Sequence, residues 1–195
     1  MSKLTELYRE IEGCRSCPLA EHRTRVVPGE GPEDAQIMLI GEAPGFYEDQ
    51  EGRPFVGPAG HFLDDLLASI GIRRNEVYIC NVVKCRPPEN RDPLPNEVKA
   101  CRKWLDLQIE IVDPKVIVTL GRYSMAMFFP GQSISRVHGT ARKIDHRIYF
   151  AMYHPAAALH RQNLRETIEV DIRRLPSLLA EAEKLQMQPQ QLSMF

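Results

Sequence analysis

The cysteines of this sequence are spaced as metal ligands often are. Cys14 and Cys17 form a C-x2-C pair, and Cys85 and Cys101 follow later, with fifteen residues between them. Thiolates of this kind hold zinc or iron–sulfur clusters. A zinc ribbon more often shows two C-x2-C pairs, whereas one pair and two dispersed cysteines suit a cubane cluster about as well, so the spacing leaves both metals open. Cys80 lies inside an apolar run and is interpreted as a core thiol.

Among the six histidines, His154 is the best placed for chemistry. It directly follows the apolar run 147–152, and Pro155 fixes the turn after it. Three alanines at 156–158 leave room for a bulky group to pass close by. The alternative is a structural histidine whose polar atoms are satisfied within the fold.

The segment Gly41–Gly60 is a long loop between an apolar run and a helix. It contains five glycines, which let a backbone approach a ligand closely, and three prolines, which stiffen it. Its acidic residues and the missing Gly-Lys-Ser/Thr ending argue against a phosphate-binding loop. Phe55, between Pro54 and Val56, is singled out as its functional aromatic; the alternative is that Phe55 packs into the core.

Four apolar runs predict strands that bring these residues together: 35–40, 76–83, 115–120 and 147–152. Helical patterns alternate with them over 3–12, 61–70, from 96, over 122–129 and over 163–185, the last one broken or kinked near Pro176. Residues 130–146 are predicted to be a loop with a possible hairpin. Strands that alternate with helices indicate a mainly parallel sheet, whose carboxyl edge would carry the Gly41 loop, Asn81 and His154.

Length and composition indicate one domain, residues 1–185, and a glutamine-rich flexible tail, residues 186–195. The 195 residues are 43% hydrophobic. No apolar run approaches the roughly 18 residues of a membrane span, and the N-terminus lacks a signal-peptide core, so a cytoplasmic protein is expected.

The net charge of −1 hides an asymmetry, because residues 1–70 carry −7 and residues 71–165 carry +8. The basic middle, which includes Arg74 and Lys84, could be the footprint of a nucleic-acid surface. A solvated charged face is an equally good interpretation of the count.

Several motifs together resemble the fourth, iron–sulfur family of uracil-DNA glycosylases: Gly41-Glu-Ala-Pro-Gly45, Gly52-Arg-Pro-Phe-Val-Gly57, Asn81-Val-Val-Lys-Cys-Arg-Pro-Pro88 and His154-Pro155. The resemblance implies an α/β fold, a three-layer α/β/α sandwich with a central four-stranded parallel sheet. It also implies a [4Fe–4S] cluster, with the ligands Cys14, Cys17, Cys85 and Cys101, which would decide between the two metals.

The resemblance further implies excision of uracil from single- or double-stranded DNA. Phe55 would stack on the flipped base, Asn81 would distinguish uracil from cytosine, and His154 would stabilise charge on uracil O2. The substrate-binding positions are Gly41, Glu42, Ala43, Gly45, Glu48, Phe55, Asn81 and His154. Glu48 would exclude the thymine methyl group, and Glu42 would orient water or stabilise the sugar cation.

DNA contacts are expected from three further residues. Leu159 would fill the gap left by the flipped base, and Arg86 and Arg161 would hold phosphates. Classical uracil-DNA glycosylases have an aspartate where Ala43 stands, so the water must be handled differently here. A related subgroup that links covalently to DNA has an inserted Arg-Arg-Ile-His segment, which is absent after Arg86.

The alternative function is a non-catalytic, polymerase-associated DNA-binding domain, and a nucleotide-dependent α/β enzyme is a third one. A monomer is expected. The last residues, Gln191-Leu-Ser-Met-Phe195, resemble the peptide by which bacterial repair proteins bind the sliding clamp.

Overall fold

A computed structural model describes residues 2–187, and the clamp-like peptide lies outside this range. The fold has one sheet with the strand order β2-β1-β3-β5-β4. Its strands are β1 (Ile37–Gly41), β2 (Tyr78–Asn81), β3 (Val116–Leu120), β4 (Ala141–Ile144) and β5 (Arg147–Met152). Four strands are parallel to one another, and β4 pairs antiparallel with β5.

Helices cover both faces of the sheet. They are α1 (Lys3–Glu12), α2 (Leu19–His22), α3 (Phe46–Glu51), α4 (Pro58–Ser69), α5 (Pro95–Val112), α6 (Arg122–Phe128), α7 (Ile134–Val137), α8 (Ala156–His160), α9 (Gln162–Ile172) and α10 (Leu175–Met187). None of the helices within residues 2–187 combines the length and the apolar character needed to cross a membrane.

The central strands β1 and β3 are almost entirely apolar, with Thr119 as the polar exception, because both of their faces are buried. Along β1, Met38 and Ile40 pack into one core cluster with α1 and α5, while Ile37 and Leu39 pack into a second with α4, α9 and α10. Alternate side chains of a strand point to opposite faces, and each face is closed by its own helices. The predicted three-layer α/β/α architecture is confirmed.

The prediction of four strands was one short. Arg142 and Lys143 in β4 are exposed at the edge of the sheet, so β4 lacks the apolar run by which the other strands were found. It joins β5 through a tight turn in which Asp145 has a φ of 54°, which is the hairpin suggested within 130–146.

The helical segment predicted over 163–185, broken or kinked near Pro176, is broken there. The segment forms two helices, α9 and α10, and Pro176 occupies the first turn of α10, where its missing N–H costs no hydrogen bond. The second helix continues to Met187, two residues beyond the expected domain boundary.

Candidate active site

Three strand ends meet at the carboxyl edge of the sheet. Gly41 at the end of β1 is in register with Asn81 at the end of β2. His154 follows β5 on the other side of β3. Gly121, directly after β3, has a φ of 92°, and a Cβ placed on it would lie 3.1 Å from the His154 Cβ. The bare backbone at Gly121 therefore makes room for His154.

Phe55, Asn81 and His154 lie side by side above Gly41. A Cβ on Gly41 would be 2.3 Å from Asn81 Oδ1 and 2.7 Å from the Phe55 ring. The rings of Phe55 and His154 stack with centroids 5.4 Å apart and planes inclined by 24°. The structure thus brings together an aromatic face, an amide and an imidazole in one small space.

Asn81 has a buried acceptor without a partner. Its side-chain Oδ1 is enclosed and receives no hydrogen bond. Such an atom costs about 1–3 kcal/mol when it stays unpaired, so it indicates a place where a ligand donates.

Below Asn81 lies a buried lysine. Lys84 Nζ donates to the Asn81 carbonyl at 2.7 Å and to Gln108 Oε1 at 2.5 Å. Lys84 therefore does not contribute to a nucleic-acid surface, contrary to one interpretation of the basic middle of the chain. Its ammonium group instead holds the backbone carbonyl of Asn81 in place.

Arg74, from the same basic segment, fixes the backbone of Phe55. Its Nη1 donates to Phe55 O at 3.1 Å and to Asp64 Oδ1 at 2.9 Å, and its Nη2 donates to Pro54 O at 2.6 Å. Phe55 has a φ of 51°, a left-handed conformation that is uncommon for a residue with a side chain. A Cβ on Gly60 would stand 1.8 Å from Phe55 O, so the start of α4 packs directly on this turn. The side chain of Arg74 is only 19% exposed, and it clamps the turn that presents Phe55.

The protonation of His154 follows from its surroundings. The N–H of Ala156 donates to His154 Nδ1 at 3.1 Å. Burial lowers the pKa of His154 to about 4, against the opposing effect of the Glu48 carboxylate. The ring is therefore neutral near pH 7, and because Nδ1 accepts, Nε2 carries the proton and is the donor.

Glu42 is the carboxyl group whose charge is most affected by the site. Burial and, to a smaller extent, the Asp92 carboxylate raise its pKa to about 7, with Arg122 opposing both. Arg122 forms an ion pair with Asp92, which limits its effect on Glu42. A carboxyl group that titrates near neutral pH suits proton transfer.

Glu48 holds the two ends of the Gly41–Gly60 loop together. Its Oε2 accepts from Gly45 N at 3.0 Å, and its Oε1 accepts from Val56 N at 3.0 Å and Gly57 N at 3.1 Å. Its carboxylate is thus engaged by three amides, while Ala43 packs against the core cluster on the α1 side.

The residues expected to contact DNA lie at the surface. Leu159, in α8, is 45% exposed, and Arg161 follows it in an exposed position. Arg86 donates from Nε to Asn90 Oδ1 at 2.7 Å and places its guanidinium 5.1 Å from the centroid of the Phe46 ring. Sequence reasoning overlooked Phe46; its signal was an aromatic side chain in an otherwise polar, glycine-rich loop.

The four predicted metal ligands line one cavity, whose wall also includes Lys84. Its empty volume is about 290 Å³, and its wall includes Cys14, Cys17, Cys85 and Cys101. Cys80 does not line it and is fully buried in β2.

Three of the four sulfurs accept hydrogen bonds. Trp104 Nε1 donates to Cys14 at 3.3 Å, Arg23 Nη1 to Cys85 at 3.1 Å and the Lys84 N–H to Cys101 at 3.3 Å. Donors of this kind stabilise thiolates.

Burial raises the pKa of Cys85, and it raises that of Cys101 to about 11. At Cys14 burial also raises the pKa, but hydrogen bonds with Ser16 and Trp104 outweigh it and the pKa is lowered. Bringing in a metal would displace the protons from the buried thiols, because its charge compensates theirs.

Comparison with known proteins gives a consistent result. The family model described as the uracil DNA glycosylase superfamily matches residues 28–175. The chain is similar to type-4 uracil-DNA glycosylases of Sulfurisphaera tokodaii, at 46% identity with 91% of this chain and 86% of the relative covered, and of Archaeoglobus fulgidus, at 46% with 91% and 94% covered. It is also similar to that of Saccharolobus solfataricus, at 44% with 92% and 88% covered.

Proposed function

The chain belongs to the uracil-DNA glycosylase superfamily, and on that premise we infer that it is a uracil-DNA glycosylase of type 4 that releases uracil from DNA and leaves an abasic site. The observation that carries this function to the site is the unpaired Oδ1 of Asn81 beside the Phe55 ring. A planar base can stack on the Phe55 ring, and its N–H, next to a carbonyl, can donate to Asn81 Oδ1. A mere DNA-binding domain has no need of this combination.

Uracil recognition is assigned to Phe55 and Asn81. The base cannot be reached within a duplex and must be flipped out, after which its face would lie on the Phe55 ring. Asn81 Oδ1 would accept from N3–H, and the amide nitrogen would donate to O4. Cytosine reverses both polarities and would leave the amide unpaired. Because Lys84 fixes the Asn81 backbone, the amide cannot shift freely to compensate.

Bond cleavage is assigned to His154 and Glu42. As the bond between uracil N1 and sugar C1′ breaks, the electron pair goes to the base and negative charge collects on O2. The neutral His154 would donate from Nε2 to that oxygen. The sugar becomes cation-like, and water attacks C1′. The carboxylate of Glu42 would stabilise the cation or accept the proton of the water.

Thymine exclusion is assigned to Glu48. The same carboxylate also holds three amides of the loop, so replacing it affects more than the space beside uracil C5. Removing the carboxylate would open space beside uracil C5, but it would also release Gly45, Val56 and Gly57. We therefore expect Glu48→Ala to lower uracil excision more than it raises thymine excision.

The cysteine cavity is proposed to hold a [4Fe–4S] cluster. Within residues 2–187, no group of three or more His, Cys, Asp or Glu side chains is arranged so that it could hold a metal ion. The four cysteines nevertheless line one cavity, and a cubane suits such a set because each thiolate binds a different iron. When bound, the cluster would tie α1 and the segment after it to α5 and add folding energy.

Further partners and the compartment complete the proposal. Leu159, Arg86 and Arg161 would contact the DNA strand, single or double. One copy would suffice, because every assigned residue comes from the same chain, and a cytoplasmic location is proposed, where the genomic DNA of a prokaryotic cell lies. Residues 191–195 would bind the sliding clamp. The Phe195→Ala variant of the full chain should lose clamp binding in a fluorescence titration and keep its excision rate; binding equal to wild type would remove this part.

The test of the function is release of free uracil from a labelled oligonucleotide with a single uracil. Matched oligonucleotides with thymine or cytosine at that position should release nothing. Asn81→Asp should gain some release of cytosine, because a protonated or reoriented carboxyl group can pair with it. If the wild-type protein binds the oligonucleotide but releases no uracil, the non-catalytic alternative takes its place.

A further inference from the structure

Two aromatic side chains are exposed beside the pocket. Phe46 is 50% and Tyr47 is 54% exposed, and they are the aromatic residues with this degree of exposure in the part of the chain that the structure describes. Their ring centroids are 5.6 Å apart and their planes stand at 81°. Exposed aromatic surface costs free energy in water, so an adjacent pair indicates a surface with a partner.

The pair is held firmly at the edge of the pocket. Both residues begin α3, and Glu48 in the next position binds the loop through three amides. A Cβ on Gly57 would be 2.9 Å from Tyr47 Cδ2, so the Tyr47 ring lies on the backbone of Gly57. Gly57 is two residues from Phe55, and two residues span at most about 7 Å. The Tyr47 ring therefore stands next to the turn that presents Phe55, within reach of a nucleotide that adjoins one held there.

The charges around the pair fit a nucleotide. Arg86 places its guanidinium 5.1 Å from the Phe46 ring centroid and is fixed there by Asn90. The nearest carboxylates on α3 are already engaged, since Asp49 accepts from Thr24 N at 2.9 Å and Glu48 from the loop. An aromatic face with a guanidinium beside it offers a stacking surface for a base and a contact for its phosphate.

We propose that Phe46 and Tyr47 form a stacking surface for the nucleobase that neighbours the flipped uracil in the DNA strand, with the base stacked on one ring and its edge against the other. This inference rests on the proposed function, since it presumes that uracil occupies the Phe55 pocket. Stacking on an aromatic side chain is typically worth about 5- to 150-fold in affinity per base. The gain is larger on single strands, because in a duplex the neighbouring base already stacks on its own strand.

The experiment combines a change in the protein with a change in the DNA substrate, so that the effect of each can be compared with and without the other. The Phe46→Ala/Tyr47→Ala variant and wild type are compared on single-stranded oligonucleotides that contain one uracil. The nucleotide on either side of the uracil is an ordinary thymidine or an abasic spacer. Val170→Ala is the matched control, because Val170 is 59% exposed and lies on α9, away from the loop.

On ordinary oligonucleotides, the second-order rate constant of the double variant, measured under single-turnover conditions at subsaturating enzyme, should be about 5- to 150-fold lower than that of wild type. That of Val170→Ala should equal the wild-type value. When the abasic spacer replaces the nucleotide whose base would stack on Phe46 and Tyr47, the rate constant of wild type should fall to that of the double variant. A variant that loses the same factor with and without the spacer, or that loses nothing, overturns the inference.

Two measurements separate this inference from the proposed function. If wild type releases no uracil from any oligonucleotide, the function fails. The stacking is then followed in binding alone, with 2-aminopurine next to the uracil: its fluorescence should be quenched by wild type and not by the double variant. Equal quenching by both proteins refutes the stacking surface, and equal melting temperatures exclude misfolding as the cause of a difference.

Discussion

Replacing Glu42 by glutamine should stabilise the protein and impair the reaction at the same time. Its pKa is raised from 4.5 to about 7. The folded protein therefore keeps a proton that the unfolded chain releases between these two pH values, and stability falls as the pH rises through this window. Above pH 7 the folded state carries the full cost of a charged carboxylate in a desolvated place, near Asp92.

The size of that cost follows from the two pKa values. A rise from 4.5 to about 7 corresponds to about 3 kcal/mol before solvent screening is considered. Solvent reaches part of the side chain, and Arg122 is close, so we expect about 1–3 kcal/mol. Glu42→Gln removes the charge and keeps the shape. It should raise the melting temperature at pH 8 by about 2–4 °C for each kcal/mol, and the gain should mostly vanish at pH 4.5.

The assay pairs thermal melting with single-turnover excision over the same pH range. The wild-type rate should rise with pH and level off above about pH 7, while the variant should be slow and flat near neutral pH. Glu110→Gln, on the exposed side of α5, makes the same change of charge and should alter neither property. A variant less stable than wild type at pH 8, or a wild-type rate that levels off near pH 4.5, would refute the reasoning.

Three further predictions concern the pocket and the cavity. His154→Ala should lower the single-turnover rate by about 10²–10³-fold with DNA affinity nearly unchanged; an equal loss of affinity would make it a binding residue. Cys101→Ala should lose iron and the yellow-brown colour, whereas Cys80→Ala should keep both, and zinc without iron in anaerobically prepared protein would contradict the cluster. Arg74→Gln should lower excision by about tenfold or more, since a hydrogen bond to a charged group is worth about 1.5–3 kcal/mol. Arg73→Gln, which removes the same charge from an exposed neighbour, should not, and equal losses would mean that only charge matters.

The positions of the functional side chains could be predicted because they follow strand ends. A strand buried on both faces is an apolar run, and the residue after such a run lies at the carboxyl edge of a parallel sheet. His154 follows such a run, and Asn81 is the polar residue that interrupts the apolar run 76–83, at the point where β2 ends. The edge strand β4 could not be found so, because its Arg142 and Lys143 face solvent and interrupt any apolar pattern.

The supports of the site could not be predicted, because their partners are backbone carbonyls. Arg74 and Lys84 look like surface charges in a basic segment, and nothing in the sequence shows that they donate to Phe55 O and Asn81 O. Likewise, Glu48 looks like one more acid of an acidic loop, yet it accepts from three amides that come together only in the folded chain. A sequence shows which side chains carry charge, but only the fold shows where each charge is used.

The close approach at Gly60 has a consequence for the gene. Every glycine codon begins with two guanines, each opposite a cytosine. Deamination of either cytosine, if copied before repair, changes the codon to one for serine, arginine, aspartate or glutamate. All of these carry a Cβ, which at Gly60 would stand 1.8 Å from Phe55 O. Deamination at the Gly60 codon can therefore inactivate the encoded enzyme, and this is the same lesion that the enzyme removes from DNA. A cell that loses the activity also loses the protection of the gene that encodes it.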